Sequence, residues 1–164
     1  VGWFSIFGNN IDLVLECSGV SEKVLPFLNL IILHEHFHLI LRKSSHLKKL
    51  IDNISAENYK ILEPLARDLS PAQILEELLI SSFVPEGYLS KITIGQKIKP
   101  IKSISKKDGQ ISFVLARQFC AYQLQNLSRE YWEAEKTLDL NYLNSIVETI
   151  KNKWGFWPKY TINF

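Results

Sequence analysis

Residues 27–41 read FLNLIILHEHFHLIL, an apolar run with no glycine or other breaker. Such a run predicts a helix. Ser21 can cap it, Pro26 suits a first turn, and Ser44-Ser45 loosens or ends it. All four histidines of the chain lie between positions 34 and 46, and three of them stand inside this run. Burying several imidazoles in an apolar helix without partners is costly, so their presence asks for a partner.

His34-Glu35-His36-Phe37-His38 contains the pattern His-Glu-x-x-His. Residues four apart stack on one helix face, so His34 and His38 can direct ring nitrogens at one ion. Glu35 projects beside them and can reach a metal-bound water without ligating the metal. Two neutral ligands leave the ion strongly Lewis acidic, which brings the pKa of its water towards ~7. Glu35 can then act as general base while that water attacks a carbonyl. The plain alternative is a pair of hydrogen-bonded core or surface histidines. His36 lies about 200° around the helix from both ligands, which predicts a core or outer-sphere histidine. His46 would stand about 12 Å further along the axis if the helix continued, and ligates only if the chain reverses sharply.

Zinc needs a third protein ligand. Leu75-Glu76-Glu77-Leu78-Leu79-Ile80-Ser81-Ser82 offers two carboxylates in a strongly apolar helix, where a metal would give them a reason to be. A Glu-Glu pair at the polar edge of an amphipathic helix is the alternative reading.

A His-Glu-x-x-His helix with, some tens of residues later, a second helix carrying Glu-Glu before apolar and small residues resembles the gluzincin-type zinc metallopeptidases. The Leu-His-Glu-His-Phe-His wording is also similar to small prokaryotic zincin-like proteins. The resemblance runs from Ile31 to Ser82. It implies a zincin-like domain that binds zinc through His34, His38 and a glutamate of the second helix, with Glu35 catalytic. Matching Glu76-Glu77-Leu78-Leu79-Ile80 to the family pattern favours Glu77, with Glu76 and His46 the alternatives. Family members often carry Gly or Ala after that glutamate and a further acidic residue, where this chain has Leu78 and Ser81. They also place an edge strand above the metal, a part the N-terminal segment would take here. Peptidases of this type add a group that steadies the oxyanion, for which Tyr88, Arg117 and Tyr122 are the candidates.

Outward from these motifs, Trp3–Phe7 and Ile11–Leu15 are β-rich runs around Gly8-Asn9-Asn10, a hairpin signal that Ser18-Gly19 ends. Leu47–Ile54 and Ala56–Leu69 predict shorter helices, the second kinked at Pro64. Ser70-Pro71 opens another, with Ile74, Leu75, Leu78 and Leu79 inward, ending near Pro85-Glu86-Gly87. Lys91–Ser105 is ambiguous between strand and loop. Gln110–Glu130 and Asn141–Lys153 predict helices, and the aromatic tail from Trp154 to Pro158 is expected to fold onto the body. The expected architecture is one domain, residues 1–164, of the α+β class: mostly helical and zincin-like, with a small N-terminal hairpin or sheet packed against the metal helix.

Composition narrows the partners. At 46% hydrophobic and 22% charged the chain is globular rather than disordered. Net charge is only +2, and the densest basic stretch, Lys97–Lys107, has no aromatic residue among its lysines, so no nucleic acid is expected. Val24–Leu33, the longest apolar stretch, contains Pro26 and Asn29 and is too short to span a bilayer, so no membrane partner is expected. Cys17 and Cys120 have no metal-binding spacing and read as reduced thiols. No basic n-region opens the chain, and the absence of any Met hints at an excised piece. The expectation is a cytoplasmic zinc metallopeptidase acting on peptides or proteins. The rival expectation is a non-catalytic zincin-fold metal-binding module that mediates a protein–protein interaction.

Overall fold

The computed structural model describes residues 2–7, 10–15, 25–65, 68–95 and 113–153. The elements run β1 (Gly2–Phe7), β2 (Asn10–Leu15), α1 (Leu25–Lys43), α2 (Ser45–Glu57), α3 (Tyr59–Leu62), a 3-10 turn (Glu63–Leu65), α4 (Pro71–Ser81), α5 (Tyr88–Ile94), α6 (Phe113–Glu133) and α7 (Leu140–Lys153).

The α+β expectation is corrected. β1 and β2 pair antiparallel as a ribbon, Gly2 opposite Leu15 and Phe7 opposite Asn10, and among the described residues no other strand joins them. A lone two-stranded ribbon does not make a layer. Beyond this ribbon the described residues are helical, and the core that buries Leu30 to Ile150 is built from helices, the 3-10 turn and the turn after α4. Apolar stripes on helices have buried one another, which is what sets the class.

Local signals place the helix ends. Ser44 closes α1 and opens α2, its hydroxyl accepting from the Leu47 N–H at 3.3 Å. Ser70 and Gln73 form a reciprocal capping box at α4, with Pro71 behind the cap. Ser70→Ala should therefore cost about 1 kcal/mol, read as a lower urea midpoint at unchanged slope; no shift would mean the cap is idle.

Two helix boundaries differ from expectation. α2 runs on to Glu57, where the Asn58 side chain donates back to the Ile54 carbonyl at 2.9 Å and stops it. Beyond it the chain makes the single turn of α3 and the 3-10 turn holding Pro64, which has no N–H to donate, rather than one kinked helix. The ambiguous segment from Lys91 is helical as far as Ile94, and Gly95 closes α5 with φ 67°. The remainder of that segment, the basic run Lys97–Lys107, Cys17 and the tail from Trp154 lie outside the described residues.

α4 is the central element. It packs against α1, α2, α6 and α7, and Ile74, Leu75, Leu78, Leu79 and Ile80 are at most 1% exposed. Glu76 and Glu77 occupy its one polar edge. Beyond α4, the buried Tyr142 hydroxyl of α7 is held by the Ser82 and Ser128 hydroxyls, each at 2.7 Å. This ties α7 and α6 to the start of the turn 82–87.

Candidate metal centre

α1 and α4 meet through the residues the motif singled out. His34 and His38 stand one turn apart on the face of α1 that looks at the polar edge of α4. Their Nε2 atoms are 3.2 Å apart. Glu77 Oε1 lies 3.1 Å from His38 Nε2, and Glu77 Oε2 lies 3.6 Å from His34 Nε2. Donors each ~2.0–2.1 Å from a tetrahedral zinc ion stand about 3.3 Å from one another, close to the spacing of the two Nε2 atoms and of His38 Nε2 from Glu77 Oε1, while it is the other oxygen of Glu77 that approaches His34. Among the described residues His34, His38 and Glu77 are the group able to share one ion.

The outer nitrogens fix the tautomers. His34 Nδ1 faces the Val84 carbonyl at 3.3 Å, and a carbonyl can only accept, so Nδ1 carries the hydrogen and Nε2 presents a lone pair. His38 Nδ1 donates to Glu76 Oε1 at 2.5 Å. Metal-ligating histidines commonly have this arrangement, with the far nitrogen donating to a carbonyl or carboxylate. Glu76 and Glu77 thus divide the work that spacing alone could not assign: Glu76 orients His38, and Glu77 faces the two ring nitrogens. Arg42 Nε approaches Glu76 Oε1 at 3.8 Å.

The electrostatics favour a positive charge between the rings. Burial alone would depress the His38 imidazole, yet hydrogen bonds and attraction from Glu76 and Glu77 outweigh it and lift its pKa to about 9. Burial holds His34 below its usual value, only partly opposed by Glu77. For Glu77 burial works upward, but His38, His34 and Arg117 win and keep its carboxyl below the ordinary range. One proton on His38 can therefore fill the place that a cation would take.

This protonation makes stability depend on pH. The folded chain keeps the His38 proton up to about pH 9, while the unfolded chain loses it near 6.5. Its contribution to metal-free stability is complete below about pH 6.5 and is lost as pH rises through about 9. A zinc ion held by these residues would have to displace the same proton, so its affinity would climb about tenfold per pH unit below that upper limit. The gap in Tm between zinc-loaded and metal-free protein should widen from about pH 6 to about pH 8; a constant gap would contradict this protonation state.

The other candidates are sorted by the same packing. Glu35 is half-buried on α1, and among the described residues no hydrogen bond or ion pair engages its carboxylate. His46 is exposed on α2 and stands outside the group. His36, expected in the core or behind the ligands, is exposed, with Nδ1 2.8 Å from the Ile32 carbonyl; its angle around α1 turns it away from α4. Tyr88 donates to Glu133 at 2.6 Å instead of facing the site, and Tyr122 is not brought into it. Arg117 does reach the site, but against Glu77, with Nη1 3.5 Å from Oε2, and its Nη2 donates to Glu86 Oε1 at 2.5 Å. Glu86 and the Val84 carbonyl were not foreseen. The only sign of Glu86 was a carboxylate in the turn that ends α4.

No helix among the described residues is long and apolar enough to cross a membrane. The chain matches no known family model, no curated protein and no solved structure.

Proposed function

We propose that the protein is a zinc-dependent hydrolase, in first place a metallopeptidase, that holds its ion through His34, His38 and Glu77 and uses Glu35 as general base. The observation that carries this reading is the pair of Nε2 atoms 3.2 Å apart, each backed by a hydrogen-bonded Nδ1, with a carboxylate oxygen 3.1 Å from one of them. When bound, zinc supplies Lewis acidity to a water and to the carbonyl under attack. Glu76 and the Val84 carbonyl keep the two imidazoles in the ligating tautomer and orientation. Glu35 takes one proton from the attacking water as its oxygen bonds to the carbonyl carbon, then passes that proton to the departing amine nitrogen as the C–N bond breaks. The same reading places the protein in the cytoplasm, where the buried, unpaired Cys120 stays a thiol.

A second reading has its own support. The side chains of His34, His38 and Glu77 are only 12%, 9% and 22% exposed, a degree of enclosure that also suits a structural ion in a non-catalytic module that binds a partner protein. Elemental analysis of purified wild type and His34→Ala tests the shared premise. One zinc per chain, absent from the variant, supports both readings; no zinc in the wild type ends both. A peptidase assay with and without a chelator then separates them, since chelator-sensitive cleavage belongs to the hydrolase alone.

A further inference from the structure

The two oxygens of Glu77 have different company. Oε1 stands 3.1 Å from His38 Nε2. Oε2 stands 3.6 Å from His34 Nε2 and 3.5 Å from Arg117 Nη1. Arg117 reaches in from α6, and Glu86 in the turn after α4 holds its other terminal nitrogen at 2.5 Å. Arg117 and Glu77 are 22% exposed and Glu86 13%.

Three charges so far withdrawn from water are poor stabilisers compared with apolar side chains of similar volume. This array also leaves polar atoms unmatched, since Arg117 Nε and Glu86 Oε2 are buried without a hydrogen-bond partner. Stability offers little reason for it, whereas its position offers a clear one. The guanidinium approaches the carboxylate oxygen that Glu77 would use to close a second bond on an ion. Glu86 offsets the charge that would otherwise repel that ion.

We propose that Arg117, braced by Glu86, is a positioning residue that restricts Glu77 to ligation through one oxygen and so keeps a coordination position open. The inference rests on the reading that His34, His38 and Glu77 bind a divalent cation. Arginine suits the task because its planar fork serves two carboxylates at once. With a neutral, donor-free side chain at 117, Oε2 is released to the ion, which then takes both carboxylate oxygens and gains a ligand.

The test uses the full chain loaded with cobalt(II) in place of zinc. Visible absorption reports coordination number, because four-coordinate cobalt(II) absorbs far more strongly than five- or six-coordinate. Arg117→Met should lose intensity relative to wild type, while Arg117→Lys, which keeps a cationic donor, should recover much of it. Glu86→Gln removes the brace and leaves Arg117 in place; it should move the spectrum in the same direction as Arg117→Met and serves if that variant fails to fold. Wild-type spectra in Arg117→Met, or in Glu86→Gln where that stands in for it, overturn the inference and leave the metal site intact. A cobalt signal that survives His34→Ala overturns the metal reading itself, a distinguishable result.

Discussion

Glu35→Gln should leave zinc content at the wild-type level and lower kcat on a peptide substrate by about a hundred- to ten-thousand-fold, the usual contribution of a positioned general base. Three other carboxylates near the centre are already engaged. Glu77 faces the ring nitrogens, Glu76 accepts from His38, and Glu86 holds Arg117. None of these can take up and release a proton without disturbing a ligand. Glu35 is about 100° around α1 from His34 and about 60° from His38, on the flank of the ligating face. Among the described residues its carboxylate has no partner that would fix it. Glutamine keeps the length and the helix while removing the basicity. His38→Ala, by contrast, should lose both zinc and turnover, because it removes a ligand and leaves Glu76 and Glu77 facing one another across a gap. Equal zinc content with an undiminished rate in Glu35→Gln would remove the catalytic role and leave the partner-binding module as the better reading.

What could be read from the chain was what is local. A helix through His34 and His38 follows from an unbroken apolar run, and stacking of those two residues follows from helix pitch. Ser70-Pro71 announced α4 because capping chemistry acts over three residues. The fold class was not legible, because it depends on whether further strands join a ribbon, and no short stretch contains that fact. Glu76 and Glu77 show the limit most clearly. They are neighbours on one helix edge, about 100° apart, and either could ligate until the packing of α4 against α1 is known. Arg117 was weighed as an oxyanion group, yet α6 delivers it to Glu77 and Glu86, contacts 40 and 31 positions away in the chain that no spacing rule connects. His36 went astray because the whole run was taken as buried, whereas only one side of α1 is covered.

Gly87→Ala should destabilise the protein by about 3 kcal/mol or more, a loss of roughly 10 °C in Tm. The backbone at Gly87 has φ −100°, so left-handed strain is not the cause. Space is. A Cβ there would stand 1.8 Å from the Ser82 carbonyl oxygen, 2.2 Å from its carbon and 2.7 Å from the Phe83 nitrogen, all main-chain atoms that cannot rotate aside. The turn they belong to is closed by the Tyr88 N–H on the Ser82 carbonyl and the Leu89 N–H on the Phe83 carbonyl. It has to open, and much depends on it. Phe83 stacks between Phe37 of α1 and Tyr142 of α7, with centroids at 5.7 and 5.4 Å. The Val84 carbonyl sets the His34 tautomer, and Glu86 braces Arg117. Stability and metal binding should therefore fall together, zinc affinity by about tenfold or more, the scale on which outer hydrogen bonds to ligands act. Gly95→Ala is the matched control. There φ is 67° and a Cβ meets nothing within 4 Å, so the cost is about 1 kcal/mol of backbone strain with zinc affinity unchanged. Thermal denaturation by circular dichroism and competition against a zinc chelator measure both variants. Should the two alanines lower Tm equally and leave zinc affinity alike, the turn 82–87 is not the joint between core and site, and the orientation of His34 must be secured elsewhere.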